Sequence, residues 1–496
     1  MLNFNLKVMK KKIILVSALA LFALSTNSCR TDSLDVTPTS NISTQDLSLF
    51  NNNEGAEGFA NAVYAKFLDW NLSSFAWIGI TNIISDDADK GSSPGDAGGD
   101  KDLLDKLDLT ATGSSFNDVW KGSYQGINRA NQALEYIPQL DQADAALRER
   151  LMGEVKFLRA FLYFNLVRGW GGVPIVDHVP SPSVEEDRTM LLTRKSAEEV
   201  YAFIIKDLEE AASVLPPKAA YSGNNVGRAT KGAANALLAK VYLYQKNWQK
   251  ALDYANLVVG YDLTPNFADI YKVSGENNQE SIFEIQGKGG PGEPGIQQYS
   301  QTQGARGAGG WGWGFGTPSQ NLVDAFNDAG DTVRRDATII FRNSTLYDGR
   351  VVPSTVENPY YNYKAYSSNF TGSDDSDANI RYLRYAEVLL IKAEALNELG
   401  QTALAAKELN KVRLRANLGE TTASSSTAMR TAIWKERRLE LALEHDRWFD
   451  LIRTGQAQSA MAADDKTFIV GRHELFPIPQ PFIDESKGLS QPNPGY

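Results

Sequence analysis

The segment Thr230–Val259, TKGAANALLAKVYLYQKNWQKALDYANLVV, decides the fold. It reads as two helices joined near Asn247. Ala233, Ala236 and Ala239 keep one face of the first helix thin, so another helix can approach closely, and Ala251, Ala255 and Val258 repeat the device in the second. The spacing of small and large residues resembles a tetratricopeptide repeat, a unit of about 34 residues folded as two antiparallel helices. Such a unit cannot bury its faces alone and must stack on others.

On both sides of this segment the helical period returns. Gly153–Trp170 carries Val155, Leu158, Leu162 and Leu166 on one face and Phe157, Phe161 and Phe164 on another, so burial on most sides is expected, with a stop at Gly171, Gly172 and Pro174. Ser196–Leu215 opens with a capping serine and the acidic pair Glu198 and Glu199, and closes before Pro216 and Pro217. A further pair spans Tyr382–Leu414, divided at Gly400. One long helix is expected over Thr427–Arg453, with Trp434, Leu441 and Trp448 on a single stripe. Around that stripe Glu436, Arg437, Arg438, Glu440, Glu444 and Arg447 stand at spacings for i,i+3 and i,i+4 ion pairs, a structural lattice that includes His445. The fold class is therefore mostly α, a tetratricopeptide-like helix-pair scaffold with a loop-rich irregular face. Three loops, Asp86–Asp102, Gly287–Ser319 and Leu346–Asn379, exceed simple connectors, and their aromatic content favours function.

Composition narrows the function. With 50 basic and 60 acidic side chains the net charge is -10, which argues against binding nucleic acid through its phosphates. A lone cysteine makes no internal disulfide, and three histidines leave little material for a histidine-rich metal site. The G-x-G-x-x-G matches at Gly287 and at Gly307 do not open a helix inside a strand, helix, strand unit, so dinucleotide binding is a poor reading. Asp375, Asp377 and Asn379 imitate the start of a calcium loop, but Ile380 takes the glycine position and Ala386 that of the bidentate acid. No cofactor is expected.

Lys7, Lys10, Lys11 and Lys12 precede the apolar run Ile13–Leu24, which is too short to span a membrane, and Cys29 follows a small polar stretch. This resembles a bacterial lipoprotein signal, in which the cysteine becomes the acylated N-terminus and more than one acyl chain gives stable anchoring. The expected organisation is a signal at 1–28, a tether at 29–53 and one domain at 54–496, with an N-terminal helical part to 260 and a C-terminal part from 261. Loss of the four leader lysines takes the charge from -10 to -14, so lipid rather than a basic patch would hold the chain to a membrane.

The run Gly309–Pro318, GGWGWGFGTP, alternates Trp311, Trp313 and Phe315 with glycines too small to shield them. On a mobile loop these rings would form a stacking platform for sugars; folded inward they would seal the loop. Arg306 could offer a bidentate hydrogen bond to vicinal hydroxyls. Trp70 and Trp77 flank a polar stretch near Asn82 and Asp86; Trp70 reads as core and Trp77 as the stronger ligand candidate. The glycan-binding candidates are thus Trp77, Asn82, Asp86, Arg306, Trp311 and Trp313.

Five segments together resemble the SusD/RagB family of outer-membrane nutrient-binding lipoproteins of Bacteroidetes: DSLDVTP from Asp32, KFLRAFLYFNLVRGWGGVPIV from Lys156, RYLRYAEVLLIKAEALNELG from Arg381, KERRLELALEHDRWFDLIRTG from Lys435, and FPIPQPFIDESKGLSQPNPGY from Phe476. The resemblance implies four tetratricopeptide-like pairs beneath a loop face and no catalytic activity. It also implies capture of glycan fragments at the exterior of the cell and their delivery to a SusC-like TonB-dependent barrel, for which the lipoprotein acts as a lid. The competing classes are a surface glycoside hydrolase and a tetratricopeptide-type interaction scaffold.

Overall fold

The computed structural model describes residues 44–96, 98–181, 183–289, 295–368 and 375–496. The leader and Cys29 lie outside the described residues. Within the stretch expected as an extended tether, Thr44–Leu49 is a short helix.

The scaffold is built from helix pairs whose ends obey local chemistry. Helix α1 (Asn53–Lys66) starts at Asn52, whose side chain accepts the Gly55 N–H, and α2 is Ser114–Tyr136. Helix α3 (Ala145–Trp170) ends where Gly171 takes φ +71, a left-handed stop available to glycine. Helix α4 (Ala197–Val214) begins with a full capping box between Ser196 and Glu199. Thr230 caps α5 (Lys231–Tyr244) and Asn247 caps α6 (Trp248–Asn256). Helices α7 (Tyr385–Glu398), α8 (Thr402–Arg415), α9 (Ser426–Leu441) and α10 (Arg447–Thr454) complete the set.

Each helix packs on the next, α3 on α4, α4 on α5, α5 on α6, α6 on α7 and α7 on α8. The alanines of the opening segment make this possible: Ala233, Ala236, Ala239, Ala251 and Ala255 are all buried. Farther along, Leu389, Ala393 and Leu409 join Met429 and Ile433 of α9 in one apolar cluster, against which Leu252 of α6 is packed.

The expected single helix over Thr427–Arg453 is broken. After Leu441 the chain turns through Leu443 at φ +63 and His445 at φ +69 before α10 begins, so Trp434, Leu441 and Trp448 share no single stripe. The acids and arginines do form a structural lattice, but they pair across the fold. Glu440 receives Arg384 at 2.5 Å and Arg334 at 2.9 Å, together with Arg415. Glu444 receives Lys364 at 2.6 Å and Arg384 at 2.7 Å, and Glu436 receives Arg334 at 2.6 Å. Buried carboxylates need several charge-assisted partners, and turning Glu444 inward toward two cations opposes the strain of the two left-handed residues.

Short antiparallel strands tie the long loops to this scaffold. Strand β1 is Ala88–Gly91, β2 Ser281–Ile285, β3 Phe315–Pro318, β4 Ile339–Phe341, β5 Tyr360–Asn362 and β6 Ile380–Arg384. The pairs are β1 with β3, β2 with β6 and β4 with β5. Register places Ala88 opposite Pro318 and Gly91 opposite Phe315, so the glycine-rich run leads directly into a strand that crosses to the N-terminal part of the chain.

Candidate binding site

The glycine run is pinned rather than loose. Trp311 N–H donates to Ala305 O at 2.8 Å, Gly312 N–H to the same oxygen at 2.9 Å, and Trp313 N–H to Gln301 O at 2.8 Å. A Cβ at Gly312 would stand 2.5 Å from both Gln301 O and Gly304 Cα, so glycine serves here to let two backbones touch. The expectation of a mobile loop is therefore corrected: close backbone approach is what the glycines supply.

The two half-buried tryptophans of the run go to different neighbours. Trp311 packs on the cluster of Ala305, Ile340, Val352 and Tyr361, meets Tyr366 edge-on at 5.6 Å, and lies under the Arg350 guanidinium at 5.1 Å. It seals. Trp313 instead meets Trp70 edge-on at 5.9 Å and Phe75 at 6.5 Å, while Trp70 and Phe75 stack at 5.2 Å with planes 29° apart. All three residues are half-buried. Beneath them Phe315 supports Phe75 edge-on at 4.9 Å, and the Lys101 ammonium sits 3.8 Å from the Phe75 ring centre. Lys101 is itself fixed by Asp100 at 3.0 Å and Ser115 Oγ at 2.7 Å.

Polar groups border this aromatic face. Trp70 N–H donates to Gln297 Oε1 at 2.8 Å, and Gln297 N–H donates to Leu68 O, which locks the two loops together. Asp69 and Asn71 flank Trp70, and Asp69 pairs with Lys66 while keeping a third of its side chain exposed. Rigid rings ringed by amide and carboxylate groups suit a ligand with one apolar face and a hydroxyl edge.

Three sequence candidates belong to the interior. Trp77 is 2% exposed, packed against His445 at 6.0 Å and Tyr382 at 6.5 Å. Asn82 lies in the buried turn Gly79–Ile83, its amide reaching Leu443 O at 3.4 Å. Asp86 is buried and accepts both arms of Arg447 at 2.7 Å. Burial alone would raise its carboxyl, yet the Arg447 and Arg438 guanidinium groups hold it down at about 2. Arg306 is no free clamp: it donates to Ser92 Oγ at 2.9 Å, Asp96 Oδ2 at 3.0 Å and Glu357 Oε1 at 3.3 Å, fastening three loops. Phe75 carries no mark of a site in the sequence, and Trp70 reads as core from its place near a helix end. The distinguishing signal was their flanks, because Trp70 stands between Asp69 and Asn71 whereas Trp77 stands between Ala76 and Ile78.

Comparison with known proteins now bears on this geometry. Residues 279–496 match the model of the SusD family, and residues 85–243 match a model described as starch-binding, associating with outer membrane. SusD-like protein P2 of Formosa agariphila is 30% identical over 418 residues, which is 76% of this chain and 80% of that protein.

The chain belongs to the SusD family.

Among solved SusD-family structures, one named a laminarin-binding SusD-like protein superposes with a TM-score of 0.74 at 30% identity, covering 89% of this chain and 99% of the other. Surface glycan-binding protein A of Bacteroides thetaiotaomicron, solved in complex with laminarihexaose, superposes at 0.73 with 26% identity over 89% of this chain and 99% of its own. The mostly helical fold expected from the helix pairs, and the SusD-like form that the resemblance implies, are the fold observed.

Proposed function

We propose that this SusD-family chain is a non-enzymatic glycan-binding protein whose sugar-stacking face is Trp70, Phe75 and Trp313. The observation that carries the reading is the convergence of these three rings, from segments about 240 residues apart, onto one supported, polar-bordered surface. Sugar rings present an axial C–H face to such a surface while their hydroxyls reach Asp69, Asn71 or Gln297. The names of the two neighbours make a laminarin-type glucan the first ligand to test. In this reading the chain is anchored through Cys29 to the outer membrane, faces the exterior, and passes oligosaccharides to a SusC-like TonB-dependent barrel.

Calorimetry with laminarihexaose and a panel of polysaccharides tests the proposal. Binding that fails in the Trp70→Ala, Trp313→Ala double variant supports the face; absence of binding to every glycan overturns it. Release of shorter products from a bound polysaccharide would assign a glycoside hydrolase instead.

A further inference from the structure

A separate cavity of about 330 Å³ opens between the turn Phe267–Tyr271, the helix Thr332–Thr338 and the loop that carries Tyr347 and Tyr363. That volume lies at the small end of ligand pockets, which run from about 300 to 1,000 Å³. Tyr347 and Tyr363 stand nearly parallel at its edge, 11° apart with centres 5.9 Å from each other. Tyr347 is 41% exposed.

Both tyrosines are held in place. Tyr347 N–H donates to the Tyr363 hydroxyl at 2.8 Å, and the Tyr347 hydroxyl accepts Ser368 N–H at 3.2 Å. Val333, Ala337 and Leu346 give the cavity an apolar wall, and Lys272, Asp336 and Thr345 a polar one. The charged pair of the lining is neutralised locally: Lys272 is bound to Asp269 at 2.6 Å and lies 5.4 Å over the Tyr347 ring, while Asp336 is bound to Arg335 at 2.8 Å. An anionic or cationic ligand would find no uncompensated charge in this lining. A neutral ring with one apolar face and several hydroxyls would find an aromatic surface and hydrogen-bonding groups together.

We infer that this cavity is a second binding site, for a single neutral sugar ring or a terminal disaccharide, distinct from the Trp70–Phe75–Trp313 face. Trp311 and Tyr366 lie between the two sites as packed rings, Tyr366 meeting Trp311 at 5.6 Å and Tyr347 at 5.6 Å.

Equilibrium dialysis of the folded chain against labelled laminaribiose, maltose and cellobiose tests this, because a disaccharide is short enough to report one site at a time. Two variants close the cavity: Tyr347→Ala removes its exposed ring, and Thr345→Trp fills its mouth from an exposed position outside the core. The expected result is that the Trp70→Ala, Trp313→Ala protein still binds a disaccharide and that adding Thr345→Trp or Tyr347→Ala abolishes this residual binding. Unchanged binding by both single cavity variants, with complete loss in the double tryptophan variant, would overturn the second site while supporting the first. Loss in the cavity variants with full retention in the tryptophan variant would support the cavity and overturn the tryptophan face. No binding of any of the three disaccharides by any form, including wild type, would overturn the cavity proposal.

Discussion

Arg447 and Asp86, 361 residues apart in the chain, meet through two parallel hydrogen bonds of 2.7 Å in the interior. Arg438 adds a third contact to Asp86 at 3.2 Å and a bond to Asp87 at 2.7 Å. Removing the acid takes both short bonds from Arg447 and leaves it only Asp87 at 3.8 Å, so the loss should be severe. Asp86→Ala is expected to destabilise the fold by about 3–5 kcal/mol, read as a lower midpoint in urea unfolding. A change below about 1 kcal/mol would mean that the pair is hydrated rather than buried.

Trp313→Ala and Trp70→Ala should each weaken glycan binding by about 2 kcal/mol, roughly 30-fold, with little effect on the unfolding midpoint. Trp77→Ala should do the reverse, losing about 3–5 kcal/mol of stability through the cavity it leaves. Parallel titration and denaturation of the three variants separates the ligand face from the core; equal loss of affinity per unit of stability in all three would dissolve the distinction.

Gly312→Ala is expected to displace the run from Gln301 and Gly304, since its Cβ would stand 2.5 Å from each. The change should lower glycan affinity by moving Trp313, while Gly419→Ala, where no atom lies near the new Cβ and the backbone is not left-handed, leaves the affinity unchanged. Titration calorimetry on both proteins checks this.

His445 gives a pH signature. Burial presses its imidazole down to about 4, with Asp446 and Glu444 opposing that shift and Arg168 reinforcing it. In the unfolded chain it titrates near 6.5, so between these values the unfolded state binds more protons and stability is lost as pH falls. The loss amounts to about 3 kcal/mol over that window. Asp89, raised by burial to about 6, and Glu276, raised by burial to about 7, act in the opposite sense over an overlapping range. The comparison must therefore be differential: His445→Asn, which tolerates the left-handed backbone, should lose less stability than wild type between pH 6.5 and 4 in thermal melts. Equal slopes would show that His445 titrates alike in the folded and unfolded chain.

The helix pairs were legible because their information is local. Thin alanine faces, the Ser196 capping box and the Gly171 stop specify themselves within a few residues. The binding face was less legible because burial is decided at long range. Trp70 and Trp77 are seven residues apart and equally aromatic; their flanks differ, but it is the arrival of Trp313 beside one and His445 beside the other that decides their burial. The break after Leu441 carried no glycine to announce it. At the break Glu444 meets Arg384 and Lys364, which lie 60 and 80 residues away. Arg306 looked free for the same reason, since Asp96 stands 210 residues earlier.

Trp70 and Phe75 lie on short helices that precede β1, and Trp313 lies two residues before β3, so the pairing of Gly91 with Phe315 joins the two segments that carry the three rings. A chain that stops short of residue 313 has Trp70 and Phe75 but lacks both Trp313 and the partner strand. The three-ring surface is therefore a property of the folded chain and of no N-terminal fragment of it.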